Sequence, residues 1–280
     1  MRWTERQRAM LREMGLRVWA PAGVEAGVEG GVEGGGQAVV EAVIQAGLAE
    51  AAVEVAERHA AVPGAQRTAA AAPPAHAAGA LVDATQLGWP ALREAVAGCT
   101  ACVLCERRTQ TVFGVGHERA HWMIVGEAPG EQEDRDGEPF VGKSGQLLDN
   151  MLRAIGLSRE PGPPETQVYI ANAVKCRPPG NRNPAAQELA ACEGFLVRQV
   201  QLVQPRLILA MGRFAVQSLL RSTEPIGRLR GKLHHYQGVP LIVTYHPAYL
   251  LRNLEEKARA WDDLCFALDC ARAAAATRHQ

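Results

Sequence analysis

Apolar residues recur along this chain with two periods, and the alternation between them predicts the fold. Trp122–Val125 is a short continuous apolar run closed by Gly126, the mark of a strand buried on both faces. Val168–Val174, Arg206–Met211 and Val239–Thr244 read the same way and bring the predicted strands to four. Between them the period becomes helical. Ser144 is placed to cap a helix in which Leu147, Leu148, Met151, Leu152 and Ile155 share one face. Asn183-Pro184 opens another with proline in its first turn, and Arg213–Leu220 makes a shorter one. The last predicted helix carries Trp261, Leu264, Cys265 and Leu268 on one stripe. This alternation predicts an α/β domain of three layers, αβα, around a central, mainly parallel four-stranded sheet. Ligands of such sheets bind beyond the C-terminal strand ends. That rule singles out Gly126–Gly130, Asn172–Asn183 and His246–Arg252.

The first part of the chain does not follow this pattern. A Gly-Val-Glu unit occurs three times, at Gly23–Glu25, Gly27–Glu29 and Gly31–Glu33, and so glycine-rich a stretch gives up too much backbone entropy to order alone. Residues 38–62, rich in Ala, Val and Glu, predict a helix, and 63–80 return to a linker of Ala, Pro and Gly. Two regions are therefore expected: a largely disordered, low-complexity extension over 1–86 and a globular domain over 87–280. Within residues 8–20, Met10, Leu11, Met14, Leu16, Val18 and Trp19 form a short apolar cluster. It reads either as a docking peptide for a protein partner or as a frayed tail.

Charge narrows the picture only slightly. Basic and acidic side chains balance at 30 each, but residues 1–90 carry 7 basic and 10 acidic groups, against 23 and 20 in 91–280. That excess permits a nucleic-acid partner without arguing for one. No run approaches the roughly 18 apolar residues of a membrane span, and Met1–Ala20 lacks a signal-peptide core. The expectation is a cytoplasmic monomer. In that compartment seven cysteines point to ligands or buried thiols rather than disulfides.

Cys99, Cys102 and Cys105 form two overlapping Cys-x-x-Cys pairs, Cys176 directly follows a predicted strand, and Cys192 lies one helix further on. A two-residue gap lets both thiolates of a turn reach one metal centre, and the distant pair closes a four-ligand set. Four thiolates suit zinc or an iron–sulfur cluster alike, and spacing does not separate them. Cys105 is equally a ligand or a bystander. Cys265 and Cys270 read as buried small hydrophobes of the last helix.

Gly137–Ser144 matches the Gly-x-x-x-x-Gly-Lys-Ser phosphate loop. That loop needs a buried strand running directly into it. The preceding Glu131–Asp136 has four acidic residues in six, which fits no apolar strand and would repel phosphates. A nucleotidase is thus the weaker of two alternative readings. The other is a non-catalytic iron–sulfur or zinc module that binds nucleic acid.

Five ordered segments over about residues 91–275 resemble the family 4 uracil-DNA glycosylases, the thermostable iron–sulfur branch of that superfamily. They are Cys99–Cys102, Gly126-Glu-Ala-Pro-Gly130 with Glu131–Asp134, Gly137–Gly142, Asn172–Pro184, and Thr244-Tyr-His246-Pro-Ala-Tyr-Leu-Leu-Arg252. Val103 departs from the family's usual proline, and Ala128 stands where some relatives carry glycine. The resemblance implies a uracil-DNA glycosylase-like fold and a repair enzyme that flips uracil from single- or double-stranded DNA and hydrolyses its N-glycosidic bond. It implies a [4Fe–4S] cluster on Cys99, Cys102, Cys176 and Cys192, with Cys105 a bystander. The docking peptide's partner would then be a replication or repair protein.

The resemblance also assigns roles. Phe140 stacks on the flipped base, and Asn172 pairs with the uracil edge through its amide. Glu133 crowds the base's 5-carbon and excludes thymine's methyl group. His246 donates to the uracil oxygen where charge develops, and Glu127 orients the attacking water or balances sugar charge. Ala128 lies against the base, at the position where the better-known branch carries an Asp for that chemistry. By their placement at or near the strand ends rather than by the resemblance, Lys175, Arg177, Arg182, Arg228, Arg230, Lys232 and Arg252 are candidate phosphate contacts. Leu250 and Leu251 are candidate wedges for the gap that the base leaves.

Overall fold

The structure, a computed structural model, describes residues 81–276. The predicted helix over 38–62, the linker and the apolar cluster at 8–20 lie outside those residues. Six strands form one sheet: β1 (Val115–Gly116), β2 (Trp122–Gly126), β3 (Tyr169–Asn172), β4 (Leu207–Met211), β5 (Leu233–Tyr236) and β6 (Val239–Thr244). Their order is β1-β3-β2-β4-β6-β5. The four predicted strands are the parallel centre, β3-β2-β4-β6.

Two antiparallel edge strands complete the sheet and extend the predicted count. Neither carries an apolar run. β1 is two residues long, and β5 alternates exposed with half-buried positions, as a one-sided edge strand must. β5 joins β6 through Gln237-Gly238, both with positive φ (49° and 81°). That two-residue turn is the local signal for the hairpin.

The helices are α1 (Trp89–Ala97), α2 (Glu131–Asp136), α3 (Gly142–Ala154), α4 (Ala186–Val203), α5 (Arg213–Leu220), α6 (Ile226–Leu229), α7 (Pro247–Leu250) and α8 (Glu256–Ala276). Side chains alternate across a strand, and here each face has its own core. Ile124, Ile170, Leu209 and Ile242 pack with Leu148, Met151 and Leu152 of α3 and Trp261 and Leu264 of α8. Val125, Ala171, Ala210 and Val243 pack with Leu196 and Val200 of α4 and Val216 of α5. Burial on both faces is why these strands read as unbroken apolar runs. Each fully buried Val, Leu, Ile or Met among them contributes roughly 1.5–3 kcal/mol. A third cluster sets Leu92 and Val96 of α1 against Phe195 of α4, and it includes Ala84 and Cys99.

Two helix starts differ from the prediction. α3 begins at Gly142 with Val141 as its N-cap, so Ser144 sits inside the first turn rather than capping it. Positive φ at Phe140 (55°) and Gly142 (67°) turns the chain into the helix early. α4 begins at Ala186, two residues beyond Pro184. There Glu188 caps the end, accepting from Ala185 N at 2.7 Å. The stretch resembling a phosphate loop follows helix α2, not a strand, so its required context is missing. Among the described residues, no helix is long and apolar enough to cross a membrane.

Candidate active site

The parallel register lays the C-terminal strand ends side by side. Gly126 pairs with Asn172 across β2 and β3, and Met211 with Thr244 across β4 and β6. The segments leaving those ends, together with Phe140–Ser144, line one open cleft. This is where strand-end binding in α/β sheets places a ligand.

Three groups meet at its floor. Asn172 is 2% exposed, and among the described residues its side-chain amide makes no hydrogen bond, although its main-chain oxygen does. A buried amide with unspent donors and an acceptor is poised for a ligand. The Phe140 ring lies stacked on the His246 ring, centroids 5.2 Å apart at 27°. Gly126 makes room for both neighbours, since a Cβ there would collide with Asn172 Oδ1 and the Phe140 ring.

Phe140 is held in its left-handed conformation from behind. The Arg159 guanidinium donates to Pro139 O (3.1 Å) and Phe140 O (2.8 Å) and pairs with Asp149 at 2.6 Å. Gly145 of α3 lets the Phe140 carbonyl approach, where any side chain would strike it.

His246 and Glu127 face the same cleft with opposite perturbations. Burial, reinforced by the Arg252 charge, lowers the His246 imidazole to about 4. Its Nδ1 accepts from Ala248 N at 3.2 Å. The ring is therefore neutral near pH 7 with its proton on Nε2, a donor that carries no charge. Burial raises the Glu127 carboxyl to about 7, so both of its forms are populated at neutral pH.

A second recess lies behind this cleft. Cys99 follows the end of α1, Cys102 precedes a 3-10 turn over Val103–Glu106, Cys176 follows β3, and Cys192 is on the buried face of α4. All four line one cavity with Cys105, Arg108 and Lys175. Arg108 Nη1 donates to Cys176 Sγ at 3.1 Å. Among the described residues, no three or more Cys, His, Asp or Glu side chains are grouped as a site for one metal ion.

The family model of the uracil DNA glycosylase superfamily matches residues 113–265 of this chain. The chain belongs to that superfamily. A type-4 uracil-DNA glycosylase of Thermotoga maritima is 43% identical over 168 residues, 59% of this chain and 84% of that protein. One from Archaeoglobus fulgidus is 43% identical over 164 residues, 56% of this chain and 79% of its own length. A type-5 uracil-DNA glycosylase of Pyrobaculum aerophilum is less similar, 34% identical over 149 residues. Within the superfamily the chain therefore falls in the type-4 branch. Nothing in these relatives favours a nucleotidase or a non-catalytic binding module.

Measured against the expected glycosylase site, the cleft brings together Glu127, Ala128, Glu133, Phe140, Asn172, Arg182, His246, Leu251 and Arg252. Glu133 gives one oxygen to Gly130 N at 3.0 Å, capping α2. Arg182 spends its guanidinium on Glu188 at 2.6 and 2.8 Å. Arg177 stands behind the rim, bonded to Asn181 and Glu131, which line it. Lys232 and Arg228 are exposed but not among the residues that line the cleft.

Three assignments need correction. Lys175 is 1% exposed and bonds Asn172 O, so no phosphate reaches it. Arg230 is tied to the buried Asp263 at 3.0 Å through both Nε and Nη2. Leu250, the last residue of α7, is fully buried in the core, which leaves the 40%-exposed Leu251 as the wedge candidate. Two exposed cations of the cleft went unassigned, Lys143 and Arg213. Arg213 stands two residues past the end of β4, where the strand-end rule applies. Lys143 was visible only inside the phosphate-loop match.

Proposed function

We propose that this chain is a DNA-repair hydrolase that extrudes uracil from DNA and hydrolyses its N-glycosidic bond, leaving an abasic site. The observation that carries the reading is the Asn172 amide, buried, without a partner among the described residues and set beside the Phe140 ring. Uracil presents an N3–H donor next to its O4 acceptor, and one amide meets both. Cytosine inverts that pattern, and each mispaired buried group costs roughly 1–3 kcal/mol. Phe140 would stack on the flipped base, and Glu133 would shield its 5-carbon.

Breaking the bond puts negative charge on the base and positive charge on the sugar. His246 Nε2–H is the donor for the developing oxyanion. A neutral imidazole suits this task, because it gives a hydrogen bond without surrendering a proton early. Glu127 in its ionised form would orient water or offset the sugar's charge. Arg252, Arg213 and Lys143 are candidates for phosphate contacts along the rim, and Leu251 is the candidate wedge.

The sulfur-lined recess fits an iron–sulfur cluster on Cys99, Cys102, Cys176 and Cys192. Burial pushes the Cys176 and Cys192 thiols up to about 11 and about 12, so a strongly positive centre is needed to hold them as thiolates. The four thiols share one recess, and iron rather than zinc is proposed there from the likeness of this chain to the iron–sulfur glycosylases. Bound there, a cluster would supply a structural tie between α1, the segment after β3 and α4. Cys105 shares the cavity wall and is read as a bystander.

The test is uracil release from a labelled oligonucleotide by the wild-type chain and by Asn172→Asp. The wild type should release uracil. The variant should lose at least 100-fold of that activity, retain its iron and gain weak release of cytosine, whose amino group the new carboxylate accepts. A folded, iron-loaded variant with wild-type kinetics would remove Asn172 as the reader.

A further inference from the structure

One charged side chain lies between the two sites and belongs to neither catalysis nor metal ligation. Lys175 is 1% exposed. A buried ammonium is costly unless its donors and its charge are both answered. Its Nζ donates to Asn172 O at 2.8 Å and to Gln199 Oε1 at 2.7 Å. Gln199 is itself fully buried and gives its amide N–H groups to Phe113 O (2.8 Å) and Tyr169 Oη (3.0 Å). Those two bonds leave its oxygen only one direction to point, toward the ammonium. On its other side Lys175 lines the recess with Cys176 and Cys192, where thiolates would answer the charge.

We propose that Lys175 is a positioning residue, a buried strut that fixes the main chain of Asn172 against the sulfur-lined recess and so couples the recess to base reading. Asn172 is the last residue of β3, and past it the chain keeps two backbone bonds to the end of β2, Ala173 N to Gly126 O at 2.9 Å and Val174 N to Glu127 O at 3.1 Å, before it reaches Lys175. The strut supplies a further anchor there, three residues along the chain. Its leverage is large, since a misplacement of about 1 Å can cost about 100-fold in rate. The inference rests on Asn172 as the uracil reader and on the recess as the seat of a thiolate-bound centre.

The test uses the full chain with Lys175→Met, which keeps the aliphatic volume and removes the donors. Iron per chain, calorimetric binding of free uracil and uracil release are measured for the wild type, Lys175→Met, Asn172→Ala and the double variant. Lys175→Met should keep its iron within about twofold and weaken free-uracil binding about tenfold, with kcat/KM down 10- to 100-fold. In the Asn172→Ala background it should cost less than about threefold more, because its action passes through Asn172. A purely structural lysine would instead lower Tm and multiply independently with Asn172→Ala. Should Lys175→Met fail to fold, Gln199→Leu frees one anchor of the ammonium and should weaken free-uracil binding about threefold.

Normal uracil binding in whichever of these variants folds, or full independence from Asn172→Ala, overturns the strut. A wild-type chain that releases no uracil, or an Asn172→Ala chain with undiminished release, overturns the underlying reading instead.

Discussion

The cleft and the recess lie on either side of Asn172–Cys176, yet they handle polar groups in opposite ways. In the cleft the central groups are unspent: among the described residues the Asn172 amide has no partner and His246 keeps an N–H free, and burial holds the Glu127 carboxyl at about 7. In the recess the cations are already committed, Arg108 to Cys176 Sγ and Ala97 O, Lys175 to Asn172 O and Gln199. Unspent capacity suits a transient ligand whose charge changes during reaction. Committed cations around sulfur suit a permanent one.

The sharpest way to break this contrast is to damage the recess. Cys176→Ser should abolish iron binding and most soluble protein, with a stability loss of several kcal/mol, whereas Cys105→Ser should keep its iron. Iron analysis and thermal melts on anaerobically purified chains check both. Stoichiometric zinc without iron in the native protein would overturn the cluster.

Gly126→Ala should affect the cleft alone. Its new methyl displaces both Asn172 and Phe140, and kcat/KM should drop at least 100-fold with iron content unchanged. Loss of iron in this variant would show that the two regions do not respond separately.

Glu127 ties activity and stability together with opposite signs. If its carboxylate is the working form, kcat/KM should rise with pH through about 7, and His246, neutral above about 4, should add no second limb near neutrality. The folded-state value of Glu127 is raised above its ordinary 4.5, so its contribution to stability is complete below 4.5 and is lost as pH rises through about 7. Glu127→Gln should therefore be the more stable protein at pH 8, by about 1–2 kcal/mol after screening, while losing activity. An activity that declines as pH rises through 7 would make Glu127 an acid instead.

The smallest effect belongs to the rim. Arg252→Ala should weaken binding of uracil-containing oligonucleotides a few-fold and lower the salt slope by about one. Arg230→Ala should instead lower Tm, because it strands the buried Asp263. Equal salt slopes in the two variants would overturn that division.

The rim residues show where reading by position stops. Lys175, Arg182 and Arg230 all stand near motif segments as basic residues, and along the chain nothing distinguishes them from Arg252. Only packing assigns Lys175 to Asn172, Arg182 to Glu188 and Arg230 to Asp263. Leu250 and Leu251 are likewise equivalent by composition, and the turn of α7 buries one and exposes the other. The edge strands stayed hidden because one-sided pairing leaves no apolar run.

What the sequence determined by itself was local or periodic: four doubly buried strands, the helix faces between them, the strand-end segments and the Cys-x-x-Cys turn. Hydrophobic burial has a period, and a period is legible in one dimension. The tertiary structure alone decided which buried groups meet. Cys192 comes to share a recess with Cys99 through the packing of α4 on α1, and Phe140 reaches His246 through a left-handed turn that Gly126, Gly145 and Arg159 together permit. Those meetings depend on distances between residues far apart in the chain, which pattern and spacing do not encode.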